Sequence, residues 1–334
     1  MKYIYFFNEP RASERALVGG KGSNLGKMTT AGFPVPPGFC IAAQAYRYLI
    51  EITGLNPIIS CKVESIDFQD PHALAETAAA IRELIGQQPI PLEIAQEIEA
   101  AYEQLDAQVG EWRDHRLSVA VRSSPTAGDL PDASFAGQQD AYLNIRGRTS
   151  LLTHVRRCWA SLWTARAIVY RQKLGYDHLQ VVLTVVVQAM VEPQTAGSVF
   201  TTNPANGNRD QCAINASWGL GQAIACGIVS PDNYIVTKAD GRIIEKHIAC
   251  KERMIISNQE GGAVGVETAA HLRDVPALSE HQVAHLTALS SRIEEYFGQP
   301  QDIEWANQEN RWYILQSRPI TTMHHLRTVA QEVA

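Results

Sequence analysis

The chain has no CxxC pair, no long basic run, no low-complexity tract and no internal repeat. Its six cysteines (Cys40, Cys61, Cys158, Cys212, Cys226 and Cys250) are scattered, which fits reduced, mostly buried thiols better than a disulfide framework or a zinc site. Long apolar runs are missing as well. The longest, VVLTVVVQAMV, is too short to span a bilayer, and MKYIYFF meets Asn8, Glu9 and Pro10 too soon for a signal-peptide core. A cytoplasmic protein without a membrane role is the expectation. The formal net charge of −6 offers no general attraction to nucleic acid or anionic lipid, so an anionic ligand needs a local cationic pocket. His281 and His285 stand four apart in an expected helix with no further ligand cluster, which reads as a polar face rather than zinc. His324 and His325 lie in a polar tail without recognisable context.

At 334 residues, 45% hydrophobic and 19% charged, the chain has the composition of an ordinary globular protein with room for about two domains. Helical stretches are expected around residues 71–86 and 91–109, the second with Pro91 in its first turn, and another at about 150–174. Between them the alternation of LSVAVRS predicts a strand over 117–123 with Arg122 facing away from Leu117, Val119 and Val121. From Gln180 onward the texture is β, with strands expected at 181–191, 197–201, 211–215, 234–238 and 242–247. One late helix opens with a capping box at Ser279 and Gln282, turns Val283, Leu286, Leu289, Ile293 and Phe297 inward, and stops at Gly298. The expected architecture is α+β, with an N-terminal lobe over 1–188, a C-terminal lobe over 189–322 and a polar tail over 323–334, the lobes joined near Gln188. Clefts between lobes are common ligand sites.

Four segments carry residues suited to chemistry. VGGKGSNLGKM sets Lys21 among Gly19, Gly20 and Gly22 just before an expected helix, where close backbone approach, helix N–H groups and a full charge suit a phosphate. It is neither a Walker loop nor a dinucleotide fingerprint, and tight glycine packing is the plain alternative. VAVRSSPTAGDLPDASFAGQ runs from a strand ending in Arg122 into a long small-residue loop with no apolar payload, a combination that suits a phosphate cover. NASWGLGQAIACGIVSPDNYIV turns around Gly219 and Gly221 into a short helix, and lines a cleft or only turns a corner.

The fourth is QDIEWANQENRWYILQSRPI, which reads as a hairpin. With Ala306 opposite Trp312 across a five-residue loop, Ile303, Trp305, Tyr313 and Leu315 share one face and Asp302, Glu304, Gln316 and Arg318 the other. Glu304 and Gln316 are then diagonal neighbours roughly 7–8 Å apart, close enough for their oxygens to converge on one ion. Magnesium completed by phosphates and water suits such a pair. A four-residue loop would turn Gln316 to the opposite face, and a solvated edge hairpin is the plain alternative.

Together these segments resemble the ATP-binding domain shared by phosphoenolpyruvate synthase, pyruvate phosphate dikinase and rifampin phosphotransferase. The resemblance runs from Val18 to Thr321 through VGGKGSNLGKM, AGFPVPPGF, RSS with DLPDASFAGQQ, VVVQAMV, SWGLGQ and DIEWA with ILQSRPI. It implies an ATP-grasp-like fold with the nucleotide in the cleft between two lobes. It also implies roles: Lys21 and Arg122 on the phosphates, Gly137 in the covering loop, Gln188 at the hinge against adenine, Glu304 and Gln316 on Mg2+, and Arg318 on the transferring phosphoryl group. Lys21, Arg122 and Arg318 would then carry catalysis, since phosphoryl transfer is mostly positioning and charge neutralisation.

Gly128 and Gln222 stand where the family commonly has an acidic residue, and Ala141 replaces a frequent threonine. The family's phosphohistidine domain, with its Ser/Thr-His pair, has no counterpart in this sequence. In the family, ATP gives AMP, the β-phosphoryl going to that histidine and the γ-phosphoryl leaving to water or phosphate. The expected function is thus the ATP-binding, phosphoryl-donating part of a dikinase-type phosphotransferase, served by a phosphohistidine on a separate domain or subunit. A self-contained ATP-grasp kinase or ligase acting on a small molecule, and a non-catalytic nucleotide-binding regulator, are the alternatives.

Overall fold

The computed structural model describes residues 2–110, 117–126, 129–130, 133–134 and 140–320. The chain is an α+β protein of two compact units, Met1–Ala31 with Pro37–Met190, and Gly32–Pro36 with Val191–Ala334. No helix among the described residues is long and apolar enough to cross a membrane. Cys40, Cys158 and Cys212 are buried, whereas Cys61, Cys226 and Cys250 are exposed, so the expectation of mostly buried thiols holds for only half of them.

In the first unit, β1 (Ile4–Phe6), β2 (Gly38–Ile41) and β3 (Ser118–Pro125) are followed by a small ribbon of β4 (Asp129–Leu130) with β5 (Ala133–Ser134), then by β6 (Ala141–Arg146) and β7 (Leu183–Ala189). The main sheet is antiparallel in the order β1-β2-β7-β3-β6. Central β7 is buried at every residue, which explains its unbroken branched sequence. The helices are α1 (Arg15–Thr30), α2 (Ala43–Ile52), α3 (Leu55–Glu64), α4 (Pro71–Gln87), α5 (Leu92–Gly110), α6 (Arg148–Ala160) and α7 (Ala165–Lys173).

Local chemistry sets their ends. Asp70 accepts the N–H groups of His72 and Ala73 at the start of α4, and Pro71 occupies its first position. The single helix expected over 150–174 is instead two. Thr164 takes an extended conformation, and its hydroxyl accepts the Ala167 N–H at 3.2 Å to cap α7. Beneath this break, Trp163 donates to the Tyr46 hydroxyl at 2.9 Å, and the buried Arg171 guanidinium lies over the Trp163 ring while donating to Leu162 O at 2.6 Å.

The second unit contains β8 (Thr195–Phe200), β9 (Gln211–Trp218), the short α8 (Gln222–Ala225), β10 (Asp232–Thr237), β11 (Ile243–His247), the ribbon β12 (Arg253–Ser257) with β13 (Ala263–Glu267), α9 (Glu280–Phe297), β14 (Gln301–Gln308) and β15 (Arg311–Pro319). Its six-stranded sheet is antiparallel in the order β11-β10-β9-β8-β14-β15. The capping box of Ser279 and Gln282 opens α9, and Gly298 at φ 68° closes it. Val283, Leu286, Leu289 and Ile293 are buried as the periodicity requires.

A fully buried ion pair joins three segments of this unit. Lys251 Nζ donates to Asp232 Oδ1 at 2.6 Å and to Ala249 O at 2.8 Å, while the same carboxylate accepts the N–H groups of Ala249 and Ala277. The Gly32–Pro36 segment belongs here because Pro34 O accepts the Ile314 N–H at 2.8 Å and Phe33 packs edge-on against Tyr296.

Candidate functional site

In the first unit, the backbone of α1 breaks at Gly19, whose φ of 72° and ψ of 177° divide the helix in two. Lys21 thus lies in the first turn after a kink inside α1 rather than ahead of the helix. Its N–H donates to Ser124 Oγ at 3.1 Å, the Gly22 N–H reaches the same oxygen at 3.5 Å, and Lys21 Nζ donates to Ser123 O at 2.9 Å. The helix-start amides that the sequence offered to a ligand are therefore turned onto a serine of β3, and the lysine side chain is tied to the end of that strand. No sequence rule distinguished Ser124 from its neighbours, although RSS stood out as a motif.

Arg122 precedes these serines in β3, opposite Ala141 of β6 and Val186 of β7. On the β6 side the arginine therefore faces the methyl group of Ala141. Gln188 stands opposite Gly38 in β2 and Ala120 in β3. Since Ala120 and Arg122 share a face, Gln188 is the diagonal neighbour of Arg122 on it, roughly 7–8 Å away by sheet geometry. Gln188 is only 2% exposed, and its Nε2 has no hydrogen-bond partner among the described residues. A buried amide donor without an acceptor costs about 1–3 kcal/mol, the signature of a group kept for a ligand or a water.

The same region holds Asp140, which sequence reasoning passed over. One of its carboxylate oxygens accepts from Arg82 Nη2 and from the Tyr142 hydroxyl, each at 2.9 Å, and its carbonyl accepts the Ser123 hydroxyl at 3.2 Å. The expected loop residue Gly137, together with Gly128, His324 and His325, lies outside the described residues. Gln222 is the first residue of α8.

In the second unit the terminal hairpin forms, with a register that corrects the expectation. Its loop is two residues long, Glu309 and Asn310, both at positive φ, with Gln308 opposite Arg311. Paired left-handed residues give the tight turn whose twist matches the strands, so Ala306 faces Tyr313 instead of Trp312. Continued unchanged, this register would set Leu315 opposite Glu304 and turn Gln316 to the other face. A bulge between Glu304 and Trp305 intervenes: Trp305 pairs with Ile314, and Glu304 pairs directly with Gln316. Tyr313 and Leu315, expected beside Ile303 and Trp305, pack instead with Val191, Ala196 and Ala306.

Two residues further along, Asp302 stands opposite Arg318 on the same face. Arg318 Nε and Nη2 donate to Asp302 Oδ2 at 2.8 and 2.6 Å. Burial pushes the Asp302 carboxyl above its usual range; the Arg318 guanidinium opposes this and the charge of Glu304 adds to it. Two carboxylates, an amide oxygen and a guanidinium thus gather on one face, half-buried except for the buried Gln316.

Among the described residues no three His, Cys, Asp or Glu side chains cluster as a metal cage. A cation at this hairpin would take one or two protein oxygens and fill its shell from ligand oxygens, which is the habit of Mg2+ with phosphates. Directly opposed residues have Cβ atoms roughly 4.5–5.5 Å apart, so Glu304 and Gln316 fit that donor set.

Known proteins extend the picture. The chain is 43% identical over 374 residues to the phosphoenolpyruvate synthase of Pyrococcus furiosus, covering 99% of this chain and 45% of that protein. It is 40% identical over 328 residues to the rifampicin phosphotransferase of Bacillus cereus, covering 98% of this chain and 37% of that protein. It is likewise 41% identical over 317 residues to the rifampicin phosphotransferase of Bacillus subtilis, covering 95% of this chain and 36% of that protein. The chain spans less than half the length of each of these relatives. Residues 15–333 match the family model described as pyruvate phosphate dikinase, AMP/ATP-binding domain, and the chain belongs to that family.

Proposed function

We propose that this chain is the ATP-binding, phosphoryl-donating part of a dikinase-type phosphotransferase, converting ATP to AMP by way of a phosphohistidine on a separate domain or subunit. The observation that carries the proposal is the pairing of Glu304 with Gln316, next to Asp302 with Arg318, on one face of the terminal hairpin. That face combines oxygen donors for a cation with a guanidinium for phosphoryl oxygens. The first unit adds the complementary chemistry, Lys21 at the end of β3 and Arg122 one strand position before Ser123.

In this reading the fold takes the ATP-grasp-like form, with residues of both units serving one nucleotide. Lys21 and Arg122 hold phosphate oxygens, Gly137 lies in the covering loop, and the Gln188 amide meets the adenine edge, where ring nitrogens would supply the acceptor that its Nε2 lacks. Glu304 and Gln316 hold Mg2+, which when bound neutralises charge on the phosphates. Arg318 exchanges its bonds to Asp302 for the transferring phosphoryl group and stabilises the charge spread over the equatorial oxygens.

The test is incubation with ATP and Mg2+, with and without a phosphohistidine domain taken from a full-length relative, resolving AMP from ADP. The expected result is AMP only when the histidine domain is present. ADP produced by the chain alone would overturn the proposal in favour of a self-contained kinase.

A further inference from the structure

Two hydroxyl groups hold the break in α1 at Gly19. Where a helix is interrupted, the carbonyls before the break and the amides after it need partners from elsewhere. Ser124 Oγ serves both sides: it accepts the Lys21 N–H at 3.1 Å and the Gly22 N–H at 3.5 Å, and donates to Val18 O at 3.2 Å. Thr184 Oγ1 donates between Val18 O at 2.7 Å and Ser124 O at 2.6 Å, so a single hydroxyl of β7 ties α1 to β3. Both side chains are fully buried.

These hydroxyls lie on the sheet face that carries Arg122. Across β3 and β7, Ser124 pairs with Thr184, Arg122 with Val186 and Ala120 with Gln188, and alternate residues of a strand share a face. Ser124 therefore stands two residues, roughly 6.5–7 Å, along β3 from Arg122 on the same side. The helix break is seated closely on the pair: a Cβ at Gly19 would fall 2.4 Å from Ser124 Oγ and 2.8 Å from Thr184 Oγ1. Lys21 Nζ reaches the same strand through Ser123 O at 2.9 Å. The backbone and the ammonium group of Lys21 are thus both registered to the strand that bears Arg122.

We propose that Ser124 and Thr184 are positioning residues for Lys21, setting the spacing between its charge and that of Arg122 so that both meet one polyphosphate. Removing the Thr184 hydroxyl takes a donor from two buried carbonyls, and removing that of Ser124 takes the acceptor from the two amides that open the second half of α1. Either change frees the break to move away from β3, and Lys21 moves with it. Charge neutralisation in phosphoryl transfer depends on such placement. This rests on the reading of Lys21 as a phosphate ligand and names what fixes that ligand in place.

The experiment is calorimetry of ATP binding in the presence of Mg2+ on the chain, on Lys21→Met, Ser124→Ala, Thr184→Val and Thr184→Ser, and on Lys21→Met combined with Thr184→Val, with thermal unfolding of each measured without nucleotide. Lys21→Met is expected to weaken ATP binding about 10–100-fold, the worth of a hydrogen bond to a charged group. Ser124→Ala and Thr184→Val each weaken it about tenfold, Thr184→Ser, which keeps the hydroxyl, retains the original affinity, and Thr184→Val adds no further loss once Lys21 is replaced. Unchanged affinity in Thr184→Val, a loss shared equally by Thr184→Ser, or a loss that persists undiminished in the combined variant overturns the inference while leaving the reading of Lys21 intact. Should Thr184→Val fail to fold, unchanged affinity in Ser124→Ala overturns it. Unchanged affinity in Lys21→Met overturns the reading of Lys21 and this inference with it.

Discussion

Replacing Gly19 by alanine puts the greatest strain on the cationic end of the first unit. The backbone there has φ 72° and ψ 177°, a region essentially closed to residues with a Cβ, and occupying it costs about 1–3 kcal/mol. The added methyl would meet Ser124 Oγ at 2.4 Å, Ser124 O at 2.5 Å and Thr184 Oγ1 at 2.8 Å. The carbonyl cannot retreat easily, because Ser124 is paired with Thr184 between β3 and β7. Overpacking of this kind costs about a further 1–3 kcal/mol, for a total of about 2–6 kcal/mol. Gly54 provides the control: it is left-handed at φ 64° and ψ 24° with nothing within 4 Å of its virtual Cβ. Alanine there costs only the left-handed penalty, about 1–2 kcal/mol. Urea unfolding followed by circular dichroism compares the two. Because Ser124 Oγ also carries the Lys21 and Gly22 N–H groups, any movement that relieves the clash displaces Lys21. Gly19→Ala should therefore lose ATP affinity under conditions where it remains folded, and Gly54→Ala should not. Equal stability of the two variants would refute the reasoning from close approach, and equal ATP affinity would refute the link to Lys21.

Two further outcomes follow from buried charge. Lys251→Ala leaves the Asp232 carboxylate buried without its cation and should cost about 3–5 kcal/mol in urea unfolding, whereas Arg242→Ala, which disturbs only an exposed pair with Asp240, should cost at most about 1 kcal/mol. His178 is pushed down to about 4, first by burial and then by the charge of Arg171, with Asp177 acting weakly in the opposite sense. Arg171 Nε donates to its Nδ1, which requires an unprotonated nitrogen there. Between the ordinary histidine value and about 4, the unfolded chain takes up a proton that the folded chain refuses, so stability should fall as pH drops through that window. His178→Gln should flatten the pH dependence of the urea midpoint over the same range; an unchanged slope would count against the assignment.

What was legible in the sequence was what short-range chemistry dictates. Ser279, Gln282 and Gly298 bound α9 because caps act within one turn, and β7 announced itself by an unbroken run of branched residues. The break at Thr164 was missed because the helical pattern continues on both sides and only the threonine conformation interrupts it. No element was expected over 43–64, where α2 and α3 form. In the site, the strand alternation correctly put Arg122 opposite the valines, but the contact of Lys21 with Ser123 and Ser124 joins positions about a hundred apart, which no local pattern encodes.

The hairpin shows how an agreement of faces can arise from a mistaken register. A five-residue loop places Asp302, Glu304, Gln316 and Arg318 together; the observed two-residue loop reverses that parity, and the bulge reverses it again before Glu304 is reached. Glu309 and Asn310 lack the Asn-Gly or Asp-Gly signature of such a turn, and their left-handed conformation is anchored from outside: the Glu309 N–H donates to Gln194 Oε1 at 2.7 Å, and Asn310 Oδ1 accepts from Gln282 Nε2 at 3.2 Å. The turn therefore depends on two glutamines distant in sequence, and the bulge then determines which side of the sheet Gln316 occupies. The side chains proposed to hold the cation are thus positioned by one extra residue, Leu315, whose own side chain packs against the cluster of Val191, Ala196 and Ala306. That apolar anchorage stabilises the bulge against slipping back into regular pairing, since a regular register would exchange Gln316 for Leu315 opposite Glu304 and leave the carboxylate without a second oxygen donor.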